Sequence, residues 1–132
     1  MMKRMRHIGI IVKDLDQTIK KFEGYGFTCS EVMEKKEDGM RIAFFPIGDT
    51  RIECLTFSPD KGWDPFHTVV RSQQGAINHL CFEVDDLEAS IREFEKNGAK
   101  LVDGSPRAGA HGRVAFFHPE TTDGILIELC QV

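Results

Sequence analysis

The chain has 132 residues, 41% of them hydrophobic and 29% charged, with a formal net charge of −4. That length suits one compact domain with a real core. The acidic balance argues against general nucleic-acid binding, which calls for a basic face, and no run approaches the roughly 18 apolar residues of a membrane span.

The N-terminus, Met1-Met2-Lys3-Arg4-Met5-Arg6, is basic. Lys13 and Asp14 cut short any apolar region behind it, so no signal peptide is expected. Ile8–Val12 then reads as a short apolar strand. Asp14 follows as a helix N-cap, with Gln17 three residues on in a capping-box-like pattern. Leu15, Ile19 and Phe22 place one apolar stripe on that helix, and Gly26 stands where it would stop in left-handed geometry. Residues 28–38 hold a loop and a further strand. Arg41–Pro46 and Thr50–Phe57 form a hairpin across Gly48-Asp49.

Residues 58–76 are rich in Pro, Gly, Asp and Gln and read as a linker loop, with a helical turn or two at Phe66–Arg71. The elements then recur. Leu80–Val84 is a strand, Asp86 an N-cap, and Leu87, Ile91 and Phe94 a helical stripe ending at Gly98. Pro106, Gly109 and Gly112 mark a loop within residues 100–112. The chain closes with strands Arg113–His118 and Ile125–Val132, joined across residues 119–124.

The recurrence is a duplication. Residues 7–45 align without a gap on residues 79–117 at an offset of 72, with 12 of 39 positions identical. His7 falls on His79, Asp14 on Asp86, Gly26 on Gly98, and Arg41-Ile42-Ala43-Phe44-Phe45 on Arg113-Val114-Ala115-Phe116-Phe117. Such periodicity sets the architecture before any other signal does. The expected fold is α+β: two tandem βαβββ modules whose sheets pair into a barrel-like metal-binding cleft. They make one domain over residues 1–132, with modules at about 5–57 and 77–132.

Each half also carries a glutamate in its last strand, Glu53 and Glu128, at an offset of 75 after a three-residue insertion. Alternate strand residues face opposite ways. Ile8, Ile10 and Val12, and Leu80, Phe82 and Val84, form apolar faces suited to covering the helices. The opposite faces carry His7, Glu53, His79 and Glu128. A carboxylate within an apolar strand is costly to bury unpaired, so two at equivalent places call for a cation. Two imidazoles and two carboxylates suit a borderline divalent metal such as Co, Ni, Mn or Zn. With no thiolate in the set, a closed structural zinc site is not expected. The four cysteines, Cys29, Cys54, Cys81 and Cys130, are scattered and read as small hydrophobes in a reduced, cytoplasmic protein.

These residues resemble the vicinal oxygen chelate superfamily, which includes glyoxalase I, methylmalonyl-CoA epimerases, extradiol dioxygenases and the fosfomycin and bleomycin resistance proteins. The marks are the paired βαβββ modules, the His-x-x-x-x-Val-x-Asp-Leu start and the Ile-Glu end. Within it, Glu83–Leu87, Pro106–Gly112, Val114–Pro119, Gly124–Leu129 and Gly48–Glu53 look most like methylmalonyl-CoA epimerases. Asn78-His79 stands where those enzymes usually carry His-His, and Ile42 where some carry a glutamate base.

The resemblance implies that His7, Glu53, His79 and Glu128 are the metal ligands. It also implies proton abstraction next to a carbonyl through a metal-stabilised enolate, with Glu128 or Glu53 doubling as the base. The substrate is then an acyl-CoA or a thiol adduct, the second option being a glyoxalase I-type lyase. A non-catalytic resistance-type binding protein is the alternative of another class. A homodimer is expected, with no nucleic-acid or membrane partner. His111 reads as a loop histidine, His118 as a turn residue, and His67 and Trp63 as linker residues. Lys35, Lys36, Arg107 and Arg113 read as solvated charges.

Overall fold

The computed structural model describes residues 2–57 and 77–132. The helical turns expected at 66–71, with His67 and Trp63, lie outside the described residues. In chain order the elements are β1 (Met2–Ile11), α1 (Leu15–Gly24), β2 (Glu31–Lys35), β3 (Met40–Ile47), β4 (Thr50–Phe57), β5 (Ile77–Val84), α2 (Leu87–Lys96), β6 (Arg107–Ala108), β7 (Arg113–Phe116) and β8 (Ile127–Gln131). This is the expected α+β fold, with the βαβββ order occurring twice.

The helices start and stop as their sequences dictate. The Asp14 carboxylate accepts the Gln17 N–H at 3.1 Å, and Asp86 accepts the Ala89 N–H at 3.0 Å. Each thereby satisfies one of the donors a helix N-terminus leaves over. At the other end Gly26 and Gly98 take φ of 101° and 99°. Phe27 N–H reaches back to Phe22 C=O, and Ala99 N–H to Phe94 C=O, both at 3.0 Å. Those are Schellman closures, and they need the left-handed residue that glycine supplies without strain.

The chain forms two compact units, residues 7–78 and residues 1–6 with 79–132. In the first, the strand order is β2-β3-β4-β1. β3 and β4 are an antiparallel hairpin, while β1 joins β4 in parallel with Gly9 opposite Glu53. Leu15 of α1 packs on Ala43, Phe45 and Cys54, with Ile19, Phe22 and Ile52 around them. In the second unit the order is β5-β8-β7-β6. β5 joins β8 in parallel with Cys81 opposite Glu128, and β7 pairs β8 antiparallel. Leu87 and Ile91 of α2 pack on Val84, Ala115, Phe117 and Leu129.

Three features depart from the sequence expectation. β1 starts at Met2 rather than Ile8, and its residues 2–6 belong with the second module's strands. The cause is Glu83 of β5, which gathers Lys3, Arg4 and Arg6. The strand expected at Ile125–Val132 begins only at Ile127. Ile125 is instead used by the turn before it: its N–H bonds Thr122 C=O, and its C=O accepts the Thr122 hydroxyl at 2.6 Å.

The third concerns burial. The apolar faces expected to cover the helices include Ile8, Ile10, Leu80 and Phe82. They are half-buried, whereas His7, Gly9, Ile11, His79, Cys81 and Glu83 on the opposite face are buried. A ten-residue helix covers only part of the face it packs on, and the mixed face is the more protected of the two.

Candidate functional site

The duplication extends to strand register. Glu53 has Gly9 on one side and Phe44 on the other; Glu128 has Cys81 and Phe116 at the corresponding positions. His7 precedes Gly9 by two residues and His79 precedes Cys81 by two. Each histidine thus shares a strand face with its module's glutamate, turned away from the helix.

The side chains meet within each module. His7 Nδ1 lies 2.9 Å from Glu53 Oε2, and His79 Nε2 lies 3.1 Å from Glu128 Oε1. All four residues are buried: 6% exposed for His7, 4% for Glu53, 2% for His79 and 6% for Glu128. Apolar side chains on the neighbouring strand positions are buried with them, and the Arg51 guanidinium lies beside Glu53. Ile42 and Phe44 in the first module, and Val114, Phe116 and Leu126 in the second, are themselves buried. The His79 ring stands edge-on to Phe116, with centroids 5.6 Å apart and planes at 74°, a favourable aromatic geometry.

A carboxylate at such depth needs a compensating positive charge. Each module offers one imidazole nitrogen and one carboxylate oxygen, the donor types that suit borderline divalent ions. The residues fit a metal on donor chemistry and burial alike. Glu83 shares a β5 face with His79 and is 6% exposed, yet it belongs to a different cluster. Arg4 Nε is 3.0 Å away, Lys3 Nζ 3.4 Å and Arg6 Nη1 3.5 Å. Burial pushes its carboxyl up, but the Arg4 and Lys3 hydrogen bonds and charges outweigh that and hold it below the usual range.

His111 is exposed. His118 initiates the turn before β8 and lies 3.5 Å from Glu120. Arg113 pairs with Glu88. One residue the sequence reading passed over is Arg51. Its Nε–H donates to Glu53 Oε2 at 2.9 Å, and its guanidinium sits over the Phe44 ring at 4.8 Å. The signal was available: Arg51 precedes Glu53 by two residues in the same strand and so faces the same way.

Residues 6–117 match the family model described as the Glyoxalase/Bleomycin resistance protein/Dioxygenase superfamily. An ethylmalonyl-CoA/methylmalonyl-CoA epimerase of Cereibacter sphaeroides is 31% identical over 139 residues, covering 100% of both chains. A mitochondrial methylmalonyl-CoA epimerase of Dictyostelium discoideum is 30% identical over 129 residues, covering 96% of this chain and 76% of the relative. Among solved structures, a Streptomyces coelicolor methylmalonyl-CoA epimerase variant in complex with 2-nitronate-propionyl-CoA superposes with a TM-score of 0.86 at 26% identity. That match covers 99% of this chain and 98% of the other.

Proposed function

The chain belongs to the Glyoxalase/Bleomycin resistance protein/Dioxygenase superfamily, and from that membership we propose that it is a methylmalonyl-CoA epimerase-like isomerase using one divalent metal ion. His7, Glu53, His79 and Glu128 are the proposed ligands. The observation that carries the reading is the duplicated buried pair, histidine nitrogen against glutamate oxygen at 2.9 Å and 3.1 Å. The epimerase names of the relatives supply the substrate class, an acyl-CoA with an acidic α-proton.

A divalent ion held by these four residues would supply Lewis acidity toward a substrate oxygen. The chain's own residues do the rest. His7 and His79 contribute ring nitrogens. One of the two glutamates takes the α-proton on a carboxylate oxygen, and a proton is returned on the opposite face. Ile42 is 3% exposed and apolar, so β3 offers no base at that place and the task passes to Glu53 or Glu128. Phe44 and Phe116 beside them keep water off the carboxylates.

Glyoxalase I-type chemistry needs the same ligands and the same proton transfer. The names of the relatives favour the acyl-CoA substrate over a thiol hemiacetal. Keeping both buried pairs argues against a purely binding role. We further read the protein as a homodimer in a reducing, cytoplasmic setting. The exposed apolar side chains of Val32 on edge strand β2 and of Tyr25 support the dimer, and light scattering reporting a monomer would sink it.

The test is a paired assay on metal-reconstituted protein, following α-proton exchange on methylmalonyl-CoA beside isomerisation of the methylglyoxal–glutathione hemithioacetal. Exchange on the CoA ester alone is the expected result. Turnover of the hemithioacetal alone would replace this reading with the lyase.

A further inference from the structure

We propose that Arg51 is a positioning residue that fixes Glu53 for metal ligation, an inference that rests on the metal-dependent reading above. Four observations converge on it. Arg51 Nε donates to Glu53 Oε2 at 2.9 Å, and that same oxygen lies 2.9 Å from His7 Nδ1. The guanidinium stacks at 4.8 Å on Phe44, which is 1% exposed and is the register partner of Glu53. The arginine side chain is itself only 18% exposed. The module repeat puts Leu126 at the equivalent position, two residues before Glu128, 2% exposed and with no polar group in its side chain.

The geometry has a direct physical consequence. A glutamate side chain has three rotatable bonds, and holding it in one conformer costs rotamer entropy. Arg51 is anchored on the Phe44 face, and its Nε–H points at one carboxylate oxygen. Glu53 is therefore ordered when the chain folds rather than when the ion arrives. A planar guanidinium does this well because it stacks and donates in a fixed direction; an ammonium is a point charge on a flexible stem and does neither. The second module positions Glu128 without such a residue at the corresponding place. The two glutamates are alike in register but differ in how they are held.

The experiment uses the full chain loaded with Co(II). Arg51→Leu installs what the second module carries, and Arg51→Lys keeps the charge without the stack. Co(II) affinity is measured by chelator competition, coordination by the visible absorption of the resting protein, and turnover as separate kcat and KM. We expect Arg51→Leu to bind Co(II) roughly 10–100-fold more weakly, as removal of a ligand's supporting hydrogen bond commonly does. We also expect an altered Co(II) band and a lowered kcat at near-constant KM. Arg51→Lys should recover only part of each loss. If Arg51→Leu does not fold, the Lys variant carries the test, and a Co(II) affinity and spectrum equal to wild type would then overturn the proposal. The same equality in a folded Leu variant overturns it too. Wild-type protein that takes up no Co(II) would instead remove the metal reading itself, and this inference with it.

Discussion

Phe116 closes edge-on against His79, with ring centroids 5.6 Å apart. Phe116 is also the register partner of Glu128 across the β7–β8 pair, so a single ring touches one member of the pair and neighbours the other. Phe116→Leu should cost roughly 1–2 kcal/mol of stability through the lost ring volume. It should also weaken metal binding about tenfold by freeing the imidazole. Chemical denaturation and chelator titration read the two effects separately. A variant that loses stability yet binds metal as wild type would show that the ring packs without orienting the histidine.

Glu83 predicts a pH dependence whose sign follows from its surroundings. Its carboxyl is held below the ordinary value of 4.5 in the folded chain, the Arg4 and Lys3 contacts outweighing the effect of burial. The unfolded chain therefore takes up that proton first as pH falls. The stability this group contributes is complete above its unfolded pKa and is lost as pH falls through its folded one. Glu83→Gln should lower stability by about 1 kcal/mol at pH 7 and flatten the acid limb of a stability–pH curve. An acid limb identical in the variant and wild type would rule the cluster out as its source.

Cys54 gives a second pH signature at the alkaline end. Burial, with the Cys29 thiol nearby, pushes its thiol up to about 11 from 9.0. The thiolate is the reactive form. At pH 8 iodoacetamide should therefore modify the half-buried Cys29 well before Cys54 in the native protein, as peptide mass spectrometry would record. Between about pH 9 and about pH 11 the unfolded chain ionises first, so stability should fall as pH rises through that window. Equal labelling of both thiols at pH 8 would contradict the assignment.

How much of this was legible in the sequence depended on whether a signal was duplicated or local. The helices were readable because Asp14, Asp86, Gly26 and Gly98 act on their own turns, and each appears twice. His7, Glu53, His79 and Glu128 were readable because strand parity and the repeat point to the same four residues. Arg51 left a weaker trace, its shared strand face with Glu53: beside a hairpin turn a lone arginine reads as a solvated charge, and the hydrogen bond to Glu53 and the stack on Phe44 show otherwise. The place of residues 2–6 was hidden for another reason. Lys3, Arg4 and Arg6 meet Glu83 across about 80 positions of chain, a pairing with no local trace. That Ile8, Ile10, Leu80 and Phe82 are only half-buried while His7 and His79 are buried was likewise beyond periodicity, which sorts faces but does not weigh how well each is covered.

Glu128→Gln keeps the size and burial of the side chain but removes its charge and basicity. In metal-loaded protein it should slow α-proton exchange by about 100-fold or more if Glu128 is the base. Glu53→Gln is the matched variant, in which metal loss should exceed any effect on the proton step. Exchange at the wild-type rate in the Glu128 variant would assign the base elsewhere.

The most direct test of the account is deuterium incorporation at the α-carbon of methylmalonyl-CoA in heavy water, measured on one preparation before chelation, after chelation, and after restoring Co(II). Rapid exchange is expected, lost on chelation and restored with the ion, with no restoration in His7→Ala or His79→Ala protein. Exchange that persists undiminished in fully chelated protein, or that is absent from the Co(II)-loaded wild type, would contradict it.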